Sequence, residues 1–95
     1  MSRLLYTLQA EEDLLEIWSF IAEDDMTAAD HVLEQMGSMC RNIADVPFMG
    51  RDRSDVAENL RGIAMGSYVV FYRPIEDGIV IIRVLHGARD LPELF

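Results

Sequence analysis

The stretch from Ile79 to His86 constrains the fold more than any other part of the sequence. It reads Ile-Val-Ile-Ile-Arg-Val-Leu-His, so large apolar side chains dominate both alternating sets of positions. Successive side chains of a strand point to opposite faces, and a strand with one solvated face alternates apolar with polar residues. The sequence therefore predicts an inner strand whose sheet is covered on both faces.

Two more strands are predicted shortly before this one. Segment 68–73 is rich in β-branched and aromatic residues, and a turn over 65–67 separates it from a short strand over 59–64. Another turn, over 74–78, leads into the final strand. Because short turns join antiparallel neighbours, we expect these three strands to form an antiparallel meander. A further strand is predicted at the start of the chain, over 3–8.

Helical periodicity fills the region between the first strand and the meander. The first helix has a buried stripe at the i, i+3, i+4, i+7, i+8 spacing, formed by Leu14, Ile17, Trp18, Ile21 and Ala22. A second helix is predicted from Thr27, a hydroxyl N-cap with Asp30 three residues on, to Pro47. Only residues 23–26 separate the two patterns, so we expect an antiparallel helix hairpin.

The resulting order is β-α-α-β-β-β, an α+β fold with a helix hairpin packed on one face of an antiparallel sheet. The chain has 95 residues, enough for one domain and too few for two, so residues 1–95 are predicted to form a single domain. The only long loop is expected over 47–58, where proline, glycine and charged residues concentrate.

Charge argues against nucleic acid as a direct ligand. The net charge is −9, and all eight basic residues are arginines. Residues 1–46 carry ten acids and two bases, whereas residues 47–95 carry seven acids and six bases. Since phosphate contacts dominate nucleic-acid affinity, we expect no sequence-specific DNA or RNA binding by this chain. Any anionic partner should meet the second half.

The remaining composition excludes several classes of site. Cys40 is the only cysteine, so no internal disulfide can form, and a reducing cytoplasmic location is expected. The sequence shows neither a signal-peptide pattern nor an apolar run long enough to span a membrane. Histidine and cysteine do not occur at metal-ligand spacing, and no glycine cluster resembles a phosphate loop. We therefore expect no metal and no cofactor.

Four segments, in order and at matching spacing, resemble ParE toxins of the ParE/RelE superfamily. They are the helix start Leu8–Trp18, the Pro-x-x-Gly-Arg turn at Pro47–Arg51, the pair Asn59–Gly62 and Tyr68–Tyr72, and the closing stretch Arg83–Asp90. The resemblance covers about Leu4 to Asp90. It implies the toxin of a type II toxin–antitoxin module of the plasmid-stabilisation type.

The family resemblance also implies a target and a partner. ParE toxins are understood to poison DNA gyrase by trapping its cleaved complex with DNA, without chemistry of their own. The C-terminal part matters for this effect, which suggests target-binding residues: Arg83, His86, Arg89, Asp90 and Phe95. A cognate, ParD-like antitoxin would neutralise the toxin in a hetero-oligomer.

The antitoxin is expected in a groove that combines helix side chains with arginines. Its flexible C-terminal segment would lie across the helix hairpin and the sheet edge. The expected lining residues are Leu14, Trp18, Phe20, Arg51, Arg53 and Arg61.

Two alternatives stay open. The RelE branch cuts messenger RNA on the ribosome, and a site could be assembled here from Arg61, Arg83 and His86. Arginine cannot serve as a base and the chain has no lysine, so His86 is the one plausible proton shuttle. Arg83 could instead be a structural partner of Asp13 or Asp90. We therefore expect no catalytic residue, and a non-toxic partner-binding member of the fold is the second alternative.

Overall fold

The computed structural model describes residues 2–87. The elements are β1 (Arg3–Tyr6), α1 (Leu8–Ala22), α2 (Met26–Asp45), β2 (Arg51–Asp52), β3 (Arg61–Met65), β4 (Tyr68–Ile75) and β5 (Gly78–His86). The predicted order is confirmed, with β2 as an addition inside the expected loop. This strand has two residues, too few for a periodic signal in the sequence.

The five strands form one sheet in the order β1-β5-β4-β3-β2. The predicted meander of β3, β4 and β5 is antiparallel. β1 runs parallel to β5, so the sheet is mostly rather than wholly antiparallel. The two strands can approach closely because Gly78 has no side chain: a Cβ there would overlap the carbonyl oxygen of Arg3.

Buried side chains cover both faces of β5. The larger cluster joins the two helices to the sheet and contains Ala10, Ile17, Met36, Cys40, Ile43, Ala44, Val70, Tyr72, Ile79, Ile81 and Val84. The smaller cluster contains Leu60, Phe71 and Leu85, with Val56 and Ala57 of the preceding loop packed against it. Because Phe71 lies between Val70 and Tyr72 on β4, the smaller cluster is on the face opposite the helices. The prediction of a strand covered on both faces is confirmed.

A β-bulge in β5 shifts the side chains that follow it to the opposite faces of the sheet. The register with β4 shifts between Phe71 and Tyr72, which leaves Ile82 as an extra residue. Regular alternation would place Leu85 on the helix side and Val84 on the opposite side. Beyond the bulge this alternation does not hold, since Val84 packs in the helix-side cluster and Leu85 in the other.

The N-cap of α1 was not predicted, and the N-cap of α2 differs from the predicted Thr27. Thr7, predicted within the first strand, is the N-cap of α1: its Oγ1 accepts the Ala10 N–H at 3.0 Å and donates to the Ile82 carbonyl at 2.8 Å. Asp25 rather than Thr27 caps α2, and its carboxylate accepts a backbone N–H of the first turn at 3.0 Å. A carboxylate is favoured there because it carries the charge that the helix N-terminus attracts. Within residues 2–87, neither helix combines the length and apolarity needed to cross a membrane.

Candidate interaction site

A largely buried ion pair joins α1 to the end of the sheet. The Arg83 guanidinium donates from Nε and Nη2 to the two carboxylate oxygens of Asp13, at 2.7 and 2.9 Å. The side chains of Arg83 and Asp13 are only 14% and 10% exposed. The Val84 backbone N–H also donates to Asp13 Oδ2, at 3.0 Å. Of the two structural partners considered for Arg83, the structure identifies Asp13.

Acidic charge is in excess around this pair. The hydrogen bond to Asp13 raises the pKa of Arg83, and the nearby carboxylates of Glu12 and Glu16 add to the effect. Three carboxylates, those of Asp13, Glu12 and Glu16, therefore favour the charged form of this guanidinium.

A depression of about 300 Å³, which we call the β5 groove, opens beside the ion pair. Its lining comes from α1, β4 and β5 and consists of Asp13, Glu16, Ile17, Phe20, Tyr68, Val84, Leu85 and His86. Phe20 is 70% exposed. The rings of Tyr68 and His86 meet edge to face, with centroids 5.8 Å apart. The groove is thus largely apolar, with two carboxylates among its lining.

The turn at Pro47–Arg51 is fixed by two side chains of the sheet. The Tyr72 hydroxyl accepts the Gly50 N–H at 2.9 Å and donates to the Pro47 carbonyl at 2.8 Å. Arg61 Nη1 donates to the Gly50 carbonyl at 2.7 Å, and its guanidinium carbon lies 4.9 Å from the centre of the Phe48 ring. Burial raises the pKa of Tyr72, so its hydroxyl stays protonated at neutral pH and keeps its donor role. Arg61 therefore has a structural role in holding this turn.

A second depression, of about 340 Å³, lies beside the turn, and we call it the arginine depression. Its lining residues are Phe48, Asp52, Ser54, Asn59, Leu60, Arg61, Arg73, Pro74, Ile75 and Val80. Phe48 is 69% exposed and the adjoining Met49 is 52% exposed. Large apolar side chains therefore lie exposed next to guanidinium groups, an arrangement that suits a protein partner.

Two other arginines of the expected antitoxin site lie in and next to β2. Arg51 is exposed on the strand. Arg53 pairs with Asp55 at 3.0 Å, and its guanidinium carbon lies 5.9 Å from the centre of the Phe71 ring. The hydrogen bond to Asp55 raises the pKa of Arg53. Arg53 is thus engaged within the chain, whereas the Arg51 side chain extends into solvent.

The structure does not gather the expected antitoxin residues into one groove. Leu14 is half-buried against the helix-side cluster. Trp18, also half-buried, donates from Nε1 to Asp30 at 2.8 Å and so ties the two helices together. Phe20 lines the β5 groove, whereas Arg61 lines the arginine depression. Sequence periodicity could not reveal this separation because it does not fix where the 47–58 loop meets the sheet.

The three residues considered for ribonuclease chemistry do not converge. Arg61 begins β3, and His86 ends β5 level with Met65, the last residue of β3. Four residues along a strand correspond to about 13 Å. The guanidinium of Arg83 is held by Asp13. His86 lines the β5 groove together with Asp13, the partner of Arg83, whereas Arg61 holds the turn at Pro47–Arg51.

Of the five expected target-binding residues, Arg83 and His86 lie at the end of β5. Arg89, Asp90 and Phe95 lie outside the described residues. Within residues 2–87, no group of three or more histidine, cysteine or acidic side chains is arranged to hold a metal ion.

Comparisons with known proteins identify the family. The model of the ParE toxin of the type II toxin–antitoxin system parDE matches residues 4–91. Toxin ParE3 of Caulobacter vibrioides is 29% identical over 92 residues, which cover 96% of this chain and 92% of that protein. Putative toxin Y4kP of Sinorhizobium fredii is also 29% identical over 92 residues, covering 97% of this chain and 95% of that protein.

A solved structure shares the fold. The structure described as a chromosomal ParDE TA system from P. aeruginosa matches with a TM-score of 0.75 and 18% sequence identity. The match covers 90% of this chain and 96% of that chain. Since the family model spans nearly all of the sequence, the chain belongs to the ParE toxins of type II toxin–antitoxin systems.

Proposed function

We propose that this ParE-family toxin inhibits DNA gyrase by binding and by trapping its cleaved complex with DNA, and that it performs no chemistry itself. The proposal rests on the family match over residues 4–91. The single structural observation that favours binding over RNA cleavage is the separation of Arg61 from His86 across the meander. Because gyrase acts on the bacterial chromosome, the toxin would act in the cytoplasm.

The chemistry of RNA cleavage explains why this separation matters. A ribonuclease that acts through the 2′-hydroxyl needs a proton shuttle beside cations that stabilise the phosphate. Arg83, three residues before His86 on β5, is already neutralised by Asp13, and the carboxylates of Glu12 and Glu16 also act on it. That corner would repel a phosphodiester backbone. The corner formed by α1 and the end of β5 is better suited to recognising a protein than a nucleic acid.

We further propose that the cognate, ParD-like antitoxin forms a hetero-oligomer with this chain and covers the arginine depression. An acidic and apolar segment would face Arg51 and Arg61, bury Phe48, which is the exposed apolar side chain of the depression, and extend to the adjoining exposed Met49. Leu14 and Trp18 offer less surface because both are half-buried. Contact at Phe20, in the β5 groove, would need a separate part of the antitoxin.

Of the proposed target contacts, Arg83 and His86 lie within four residues of each other at the end of β5. Arg89, Asp90 and Phe95 stay part of the proposal from the family resemblance alone.

Induction of the chain in bacteria that lack the antitoxin tests the proposed function. We expect growth arrest with activation of an SOS reporter, because cleaved gyrase complexes break DNA, and relief on co-expression of the antitoxin. Loss of protein synthesis within minutes, without an SOS signal, would indicate the ribosome as target instead. Normal growth with a demonstrably folded chain would indicate a non-toxic partner-binding member of the fold.

A further inference from the structure

The arginine depression lies where β4 extends beyond the end of β3. The pairing of β3 with β4 ends at Arg61 and Tyr72, whereas the pairing of β4 with β5 continues to Ile75. The last three residues of β4, 73–75, all line the depression. Pro74 suits this stretch because proline has no N–H to donate to a neighbouring strand. The sheet therefore provides a fixed wall, and the volume of about 340 Å³ is within the range of small-molecule sites.

Two guanidiniums of this depression are held in place but only partly hydrogen-bonded. Arg73 donates from Nε to the Glu58 carbonyl at 2.9 Å, and Arg61 donates from Nη1 to the Gly50 carbonyl at 2.7 Å. Within residues 2–87, neither guanidinium is at ion-pair distance from a carboxylate, and Nη1 and Nη2 of Arg73 and Nε and Nη2 of Arg61 make no hydrogen bond. Guanidinium N–H groups of this kind bind the oxygens of a phosphate, often two at a time.

The lining carries more positive than negative charge although the whole chain is acidic. Its charged side chains are Arg61, Arg73 and Asp52, which leaves one positive charge in excess. Asp52 accepts the Ser54 N–H at 2.8 Å, so this carboxylate is already engaged within the loop. Three other acids close by in the sequence are exposed and do not line the depression: Glu58, Glu76 and Asp77. Distant carboxylates are screened beyond about 8–10 Å at cellular salt, so the net charge of −9 opposes a polyanion more than a small anion.

An exposed aromatic ring stands beside the two guanidiniums. Phe48 lines the depression and is 69% exposed, and the Arg61 guanidinium carbon lies over its ring, 4.9 Å from the centre. This contact orients the ring and leaves most of it open to solvent. Open aromatic faces stack with nucleobases, whichever base is present. The depression therefore combines groups that suit a phosphate with a ring that suits a base.

We infer that the arginine depression of the free chain binds a mononucleotide, with its phosphate on Arg61 and Arg73 and its base stacked on Phe48. Inorganic phosphate would satisfy the guanidiniums alone, so the preference for a nucleotide measures the part played by Phe48. The inference does not rest on the gyrase target or on the antitoxin. An antitoxin segment over the depression would exclude the nucleotide, so the chain is tested without antitoxin.

Isothermal titration calorimetry of the full chain with adenosine 5′-monophosphate, ribose 5-phosphate and inorganic phosphate tests the role of the base. We expect saturable binding of the nucleotide, at least about tenfold tighter than that of ribose 5-phosphate. Phe48→Leu should bring the two affinities to within about twofold, and the fold should persist because the side chain is exposed. Equal affinities for the nucleotide and ribose 5-phosphate in the unmodified chain would overturn base stacking on Phe48.

Removal of one guanidinium tests the phosphate contact. Arg73→Gln should weaken nucleotide binding at least about tenfold. Arg41→Gln is the matched control, because it changes the net charge equally at an exposed position of α2 outside the depression, and it should weaken binding less than about twofold. Circular dichroism verifies the fold. Should Arg73→Gln not fold, Arg73→Lys keeps the charge but loses the paired N–H groups, and it should weaken binding about threefold to tenfold.

Equal weakening in Arg73→Gln and Arg41→Gln would overturn the site, because the effect would then come from net charge alone. Absence of saturable nucleotide binding to the folded, unmodified chain would overturn the inference as a whole. Binding of a glutamate-rich peptide in that case would assign the two guanidiniums to the carboxylates of a protein partner.

Discussion

Asp13 of α1 accepts two guanidinium hydrogen bonds from Arg83, a residue 70 positions later on β5. We predict that Asp13→Ala lowers the free energy of unfolding by about 3 kcal/mol, because the guanidinium would stay largely buried without its carboxylate. Urea denaturation followed by circular dichroism measures the change.

Two further variants distinguish the effect of losing the ion pair from the effect of shortening the Asp13 side chain. Asp13→Leu combined with Arg83→Met removes both charges and should recover part of the loss, with the unbonded Val84 N–H accounting for the rest. Asp55→Ala is the control, since the Asp55 side chain is 66% exposed and its pair with Arg53 should contribute at most about 1 kcal/mol. A loss in Asp13→Ala no larger than in Asp55→Ala would contradict the structural role of the pair.

Tyr72→Phe should lower the free energy of unfolding by about 1–2 kcal/mol, because it leaves the buried Gly50 N–H without its acceptor. The amide of Gly50 should exchange with solvent faster in this variant, which hydrogen-exchange NMR measures directly. Tyr68→Phe is the matched control: its ring contact with His86 is kept, and the change should stay below about 0.5 kcal/mol. Unchanged Gly50 exchange in Tyr72→Phe would show that the turn is held by other contacts.

Stability should fall at alkaline pH because of Tyr6 and Cys40. The Tyr6 hydroxyl and the Cys40 thiol influence each other, and burial is the main reason that the pKa of each group is raised above its ordinary value of 10.0 or 9.0. Both groups are neutral when protonated, and the folded chain favours that neutral form. Their contribution to the free energy of unfolding is therefore complete at pH values below the unfolded-state pKa. It is lost as the pH rises from the unfolded-state pKa towards the folded-state pKa. We expect a flat free energy of unfolding from pH 7 to 8 and a decline above about pH 9.

Urea unfolding at a series of pH values checks this dependence. Cys40→Ala should be less stable throughout, because it leaves a cavity, but its alkaline decline should be shallower. A free energy of unfolding that stays constant to about pH 10.5 in the unmodified chain would contradict the buried, neutral state of these groups.

The element order was predictable because its signals are local. The period of 3.6 in α1 and α2, the β-branched and aromatic content of β4 and the turn residues around Gly66 each depend on a few neighbouring residues. The parallel pairing of β1 with β5 could not be predicted, because it joins segments about 75 residues apart and depends on the close approach of the strands at Gly78. The bulge at Ile82 was also missed, since one extra residue in an apolar run leaves no mark in the sequence.

The candidate site was predictable only where chemistry demands a partner. A buried arginine must be paired, so Asp13 could be named as one of two structural partners for Arg83. The arginine depression was not foreseen, although its signal was present: Phe48 and Met49 are large apolar residues inside a charged loop. Whether such residues are buried or exposed depends on where the loop packs, which only the folded chain determines.

Charge reversal in and beside β2 tests the proposed antitoxin surface. Arg51→Glu combined with Arg53→Glu should weaken binding of the cognate antitoxin at least about tenfold, mainly through slower association, because like charges would then face its acidic residues. Arg41→Glu is the control, since Arg41 is exposed on α2, and it should change affinity less than about twofold. Biolayer interferometry gives both rates. Unchanged affinity in the double variant would remove the electrostatic part of the proposal.

Arg61→Glu is measured separately because Arg61 also holds the turn through the Gly50 carbonyl. We expect it to lower both affinity and stability. A loss of affinity without a loss of stability would show that the guanidinium serves the partner more than the turn.

Supercoiling of relaxed plasmid by purified gyrase, with and without the folded chain freed from antitoxin, tests the proposed function most directly. We expect inhibition of supercoiling together with accumulation of linear DNA covalently attached to gyrase, and reversal of both effects by the antitoxin. Complete supercoiling at saturating concentrations of the chain, with no cleaved DNA, would contradict gyrase as its target.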